Sequence, residues 1–228
     1  MSKNHQEEFT CPHCGAKGKF TVWDSINVNL DPQLRDKVLD ESLFMWTCPC
    51  CGKQMYITFG SLYHDISNQF MILFDHKSNV ENEDFGQESA LPESEELAQF
   101  SKNYRLRQVH GILALKEKIF IFEEGLSDIV VELLKYFVIN QVIHINESDP
   151  NFLIGKGIYF TNLSDDGENL VFAVVSPRKG VVANFSLSFN LYEQCLQKSL
   201  LDERFNVKKN CFLNVCYQWI DAQMQTSK

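Results

Sequence analysis

Cys11-Pro12-His13-Cys14-Gly15 and Cys48-Pro49-Cys50-Cys51-Gly52 repeat one pattern, Cys-Pro-x-Cys-Gly, and this repeat limits what the N-terminal part of the chain can fold into. Two Cys three apart on a tight turn aim both sulfurs at one centre. Two such turns face to face offer the four thiolates that zinc accepts in tetrahedral geometry. Pro12 and Pro49 pre-set φ on the turns, and Gly15 and Gly52 permit the positive φ that turns backbone amides towards sulfur. The expected ligands of a structural Zn2+ are therefore Cys11, Cys14, Cys48 and Cys51. Cys50 leaves a one-residue ambiguity in the second turn, in which the Pro-x-Cys-Gly frame favours Cys51. His13, between two ligands, is read as a solvent-facing residue of the turn. A disulfide or redox dithiol is the alternative use of paired cysteines. A catalytic zinc needs an open position that four cysteines do not leave.

The two pairs are separated by 33 residues, more than the about 15 to 20 of a zinc-ribbon pattern. An inserted helix accounts for the excess. Asp31-Pro32 reads as its N-cap and first position, and Leu34, Val38 and Leu39 as its apolar face. Lys19 to Trp23, Leu43 to Thr47 and Gln54 to Phe59 read as strands around the turns, so that one metal pins two hairpins. Leu62 to Asp65 and Gln69 to Phe74 are two more strands. His64-Asp65 and Asp75-His76 at their ends suggest a second metal or an acid–base pair, against the simpler reading of solvated turns. Residues 77–101 hold seven acids and one lysine out of a net charge of −9 and read as a linker or loop, with a short helix over Glu93 to Phe100.

Tyr104 to Val109 alternates as a strand with Arg105 and Arg107 on one face. Ile112, Leu115, Ile119 and Phe122 then recur at helical spacing up to Gly125. A second helix starts at Ser127-Asp128 and buries Ile129, Val130, Leu133, Leu134, Phe137 and Val138, as core or as a dimer seam. The knuckles, Trp23 to Val28, Leu62 to Asp65 and Glu117 to Leu126 together resemble the CpXC family of bacterial and archaeal proteins, over about residues 9–140. That resemblance implies the paired zinc knuckles and names no activity.

Past the turn-rich Asn146 to Pro150, strands are expected over Phe152 to Phe160, Leu170 to Val175 and Val181 to Phe189, and helices over Leu191 to Leu201 and Cys211 to Met224. Cys195, Cys211 and Cys216 have no metal-motif spacing and read as small apolar residues. The expected class is α+β: a zinc-ribbon-like antiparallel β module with a helical pair (domain 1–146), then an antiparallel hairpin or meander with two helices (150–228).

Function is bounded mainly by exclusion. No Gly-rich phosphate loop, Gly-x-Ser-x-Gly elbow or His-Glu-x-x-His helix is present. Arg178-Lys179 and Lys208-Lys209 are too sparse a basic footprint for nucleic acid. Glu132, Lys135 and Asn140 break the longest apolar run, which argues against a membrane span. Met1 to Glu8 is unlike a secretory or transit peptide, so a cytoplasmic location is expected. The first expectation is a zinc-binding, non-enzymatic interaction or scaffold protein that takes a protein partner or self-associates. An enzyme with its site between the two halves, or a nucleic-acid-associated zinc ribbon, is the alternative.

Overall fold

In the computed structural model, residues 2–75, 89–90, 103–145, 153, 155–207 and 210–225 are described. The chain folds into two compact units, the first holding 2–75, 89–90, 103–116 and 210–212, the second 117–145, 153, 155–207 and 213–225. Both strands and helices are present, an α+β architecture as expected, with the four-cysteine repeat in the first unit.

The first unit is built on a five-stranded sheet. β1 (Lys3–Thr10) and β2 (Lys17–Asn27) form an antiparallel hairpin, as do β5 (Ser61–Asp65) and β6 (Phe70–Asp75). Parallel pairings join β2 to β5 and β6 to β8 (Arg105–His110), giving the order β1-β2-β5-β6-β8. Period-two alternation puts Phe20, Val22, Ile26, Tyr63, Phe70, Ile72 and Phe74 on the buried face. Helix α1 (Gln33–Leu39) buries Leu34 and Val38; its N-cap is Pro32, with no side-chain cap, one residue later than Asp31. A second, short hairpin pairs β3 (Met45–Thr47) with β4 (Gln54–Tyr56). Nothing in the sequence pattern announces β1: its residues are almost all exposed and polar, and pairing with β2, not apolar burial, makes it a strand.

The second unit contains residues 117–123 of α2 (Ile112–Glu123), all of α3 (Asp128–Ile145), and the antiparallel meander β9 (Gly157–Leu163), β10 (Asn169–Ser176) and β11 (Gly180–Ser188). α2 stops where Gly125 takes φ +70 and the Leu126 amide donates to the Ile121 carbonyl at 2.9 Å, a helix stop that only a left-handed residue allows cheaply. Val130, Val131, Leu134 and Val138 of α3 are buried, but Phe137, expected inside, is 42% exposed. α4 (Phe189–Leu200) follows β11, its N-cap Ser188 accepting the Asn190 amide.

The helix expected over Cys211 to Met224 is only its second half, α5 (Tyr217–Gln225). Cys211–Phe212 is a strand, β12, paired with β7 (Ser89–Ala90). Leu213 and Val215 continue in non-helical backbone into a cluster with Leu133, Phe205, Trp219 and Ile220. A short apolar run reads equally as strand or helix, and pairing decided it. Among the described residues no helix is long and apolar enough to cross a membrane. The acidic stretch 77–101 apart from Ser89–Ala90, the helix expected over Glu93 to Phe100, His76, the junction at 146–150 and Lys208-Lys209 all lie outside the described residues.

Candidate metal centre

Each cysteine pair sits on the tip of one of the two hairpins, β1–β2 and β3–β4, and the two tips have the same backbone. Cys11 N donates to Ala16 O at 2.9 Å and Gly15 N to Cys11 O at 2.9 Å; Cys48 N donates to Lys53 O at 2.9 Å and Gly52 N to Cys48 O at 3.0 Å. Gly15 (φ +73) and Gly52 (φ +69) close both turns in the left-handed region, where a side chain would be strained. The sequence repeat is thus a structural repeat.

The sulfurs of Cys11, Cys14, Cys48 and Cys51 lie within 4.8 Å of one another. The cross-hairpin contacts are Cys11–Cys51 at 3.7 Å and Cys14–Cys48 at 3.6 Å. Zn–S bonds of about 2.3 Å in a tetrahedron require sulfurs about 3.8 Å apart, so spacing and donor type both fit one zinc with no position left open. Cys50 is exposed and outside the group, to which the second turn contributes Cys48 and Cys51. His13 is exposed and touches Lys53 Nζ.

Backbone amides complete the shell. The amides of Cys51 and Cys50 donate to the Cys48 sulfur and, against the cost of burial, bring that thiol down to about 6. An amide from Ala16 reaches the Cys14 sulfur, and the matching amide of Lys53 reaches Cys51. At Cys14 that amide is outweighed by desolvation and the three neighbouring thiols, which push it up to about 12. Four thiols in such proximity cannot all ionise unless a cation compensates them.

Sequence reasoning missed what locks the two hairpins together. Trp46 of β3 is buried, stacks edge-on against Phe9 of β1 at 5.1 Å, and donates its indole N–H to the Lys19 carbonyl of β2 at 3.0 Å. Gly18 makes room for it: a Cβ there would lie 2.7 Å from Trp46 Cζ2 and 3.1 Å from Pro49 Cδ. A lone glycine in a strand is the only trace this close approach leaves in the sequence.

The other singled-out residues are not brought to the sulfurs. Asp65 is buried and accepts both the backbone and side-chain N–H of Asn68, the bonding of a turn. His64 faces the Tyr104 hydroxyl at 3.3 Å. Arg107 of β8 is buried and donates to the Leu106 carbonyl. Cys211 is buried, Cys195 and Cys216 half-buried.

The second unit holds a buried ionic group that no spacing announced: Glu117, Lys118, Asp128, Glu132 and Lys135, each at most 5% exposed. Lys118 bridges Asp128 (3.1 Å) and Glu132 (3.2 Å); Lys135 bridges Glu117 (2.6 Å) and Glu132 (3.1 Å). Glu117 also accepts the Phe160 amide at 2.6 Å, tying α2 to β9. Burial opposes the charge on Lys135, but the flanking Glu117 and Glu132 raise its pKa above the ordinary lysine value.

The family model of the CpXC protein matches residues 9–135, more than half of the chain and both cysteine pairs. No curated protein and no solved structure matches the chain.

Proposed function

The chain belongs to the CpXC protein family, and on that premise we propose that it is a zinc protein whose Cys11, Cys14, Cys48 and Cys51 hold one structural Zn2+, and whose role is interaction or scaffolding rather than catalysis. The observation that carries this reading is the sulfur geometry: 3.6 and 3.7 Å across two hairpin tips of identical turn, with amides aimed at the sulfurs. A closed four-thiolate shell gives zinc no site for water or substrate, so the ion acts as a crosslink between β1–β2 and β3–β4. Binding of this kind contributes about 10 to 16 kcal/mol in small zinc peptides, enough to decide whether a small module folds. The interaction role extends this reading: a metal-pinned module offers a rigid surface, and the partner is another protein or a second copy of the chain.

Native mass spectrometry of the gently purified protein tests both parts, since one spectrum reports metal and stoichiometry. One zinc per chain together with a multimer or a retained protein is expected. A metal-free, fully folded monomer overturns the proposal.

A further inference from the structure

β11 is one of the two outer strands of the meander, and among the described residues it pairs only with β10, whereas β9, the other, already gives its Phe160 amide to Glu117. None of its nine residues, Gly180–Ser188, carries a charge. Open edges are ordinarily blunted by charge, as on β1, an outer strand of the five-stranded sheet, with Lys3, Glu7 and Glu8. Around β11 the charges stand just beyond the two ends and differ in sign. Arg178 and Lys179 occupy the turn before it, which Gly180 closes at φ +69. Glu168 and Glu193 lie at the far end, in a cleft of about 390 Å³ that Ser188, Phe189 and Asn190 also line. All four charged residues are exposed.

We propose that β11 is the pairing edge of a symmetric dimer, antiparallel to β11 of a second copy, so that two meanders form one six-stranded sheet. A strand can meet its own copy across a two-fold only in the antiparallel sense and with one residue facing itself. With Asn184, the middle residue, on the axis, Gly180 lies opposite Ser188 of the second copy. The Arg178–Lys179 turn of each copy then falls beside the Glu168 and Glu193 cleft of the other, so complementary charge is satisfied twice. Val181, 58% exposed, gains a neighbouring strand. The register shift at Val182, opposite Val174 and Val175, leaves Ala183–Phe185 as the regular stretch about the axis, and Val182 then stands opposite Ser186 of the second copy. This dimer supplies the partner for the interaction role inferred above and rests on that reading.

The test is sedimentation equilibrium of the full chain over a wide concentration range, with zinc measured on the same sample. A dimer is expected. Asn184→Lys, an exposed change that sets two ammonium groups face to face on the axis, raises the dimer Kd by about tenfold or more, while circular dichroism stays unchanged. Arg178→Glu with Lys179→Glu raises it similarly, and adding Glu168→Lys and Glu193→Lys to that chain returns it to within about threefold of the wild-type value. A chain monomeric throughout, a dimer indifferent to Asn184→Lys, or a charge exchange that fails to restore affinity overturns the proposal. A zinc-loaded monomer overturns this dimer and leaves the metal centre standing; a zinc-free dimer sensitive to Asn184→Lys does the reverse.

Discussion

Single residues separate metal binding from mere cysteine content. Cys11→Ser and Cys51→Ser each remove one donor and are expected to lose zinc and turn the first unit protease-sensitive. Cys50→Ser, one position away but outside the sulfur group, is expected to keep full zinc content and an unchanged melt. Metal analysis and limited proteolysis on the three variants check this, and zinc loss in Cys50→Ser would refute the ligand register. Gly18 is the second informative position. Gly18→Val drives a side chain into Trp46 and Pro49 and is expected to cost about 1 to 3 kcal/mol by denaturant titration. The cysteines were legible because metal chemistry dictates both residue type and spacing. Gly18 and Trp46 were not, because a close approach between strands far apart in sequence leaves no local pattern.

At the level of elements, the buried ions of α2 and α3 carry the clearest consequence. Removing one partner strands the others in a dry interior. Lys135→Met, which leaves Glu117 and Glu132 facing each other, is therefore expected to destabilise the second unit by about 3 to 5 kcal/mol. The pH dependence follows from the same contacts. The folded pKa of Lys135 lies above its ordinary 10.5, so its contribution is complete below that value and lost as pH rises through the folded pKa. Melting temperature should fall on the alkaline side in the wild type and less steeply in Lys135→Met; equal alkaline slopes would contradict this. Helical periodicity located both helices and Gly125 located the end of α2. Periodicity alone could not show that Glu117, Lys118, Glu132 and Lys135 also face inward, since charged residues at helical spacing ordinarily mark a solvated face. The strand at Cys211–Phe212 was hidden for the complementary reason: its partner, Ser89–Ala90, is more than a hundred residues away.

For the molecule as a whole, a division into two compact units predicts two separable responses. Chelation of the proposed zinc would remove a crosslink from the first unit only. On treatment with a strong chelator, hydrogen exchange is expected to rise throughout β1 to β4 while the amides of β9, β10 and α3 keep their protection; uniform loss of protection would show that the metal supports both units. The α+β class and the order of most elements were readable because turns, caps and apolar periods are local signals. The way β2 and β6 are joined to later strands by parallel pairing was not, because parallel neighbours need no turn signal between them.

Each hairpin tip contributes one buried and one exposed cysteine, Cys11 with Cys14 and Cys48 with Cys51. With zinc seated as proposed, a competing chelator is expected to reach Cys14 and Cys51 first, one from either tip, while Cys11 and Cys48, which belong to different hairpins, keep hold of the ion. Metal turnover can then proceed by stepwise ligand exchange on a module that stays closed, and its rate should follow the chemistry of the incoming ligand instead of the opening of the fold.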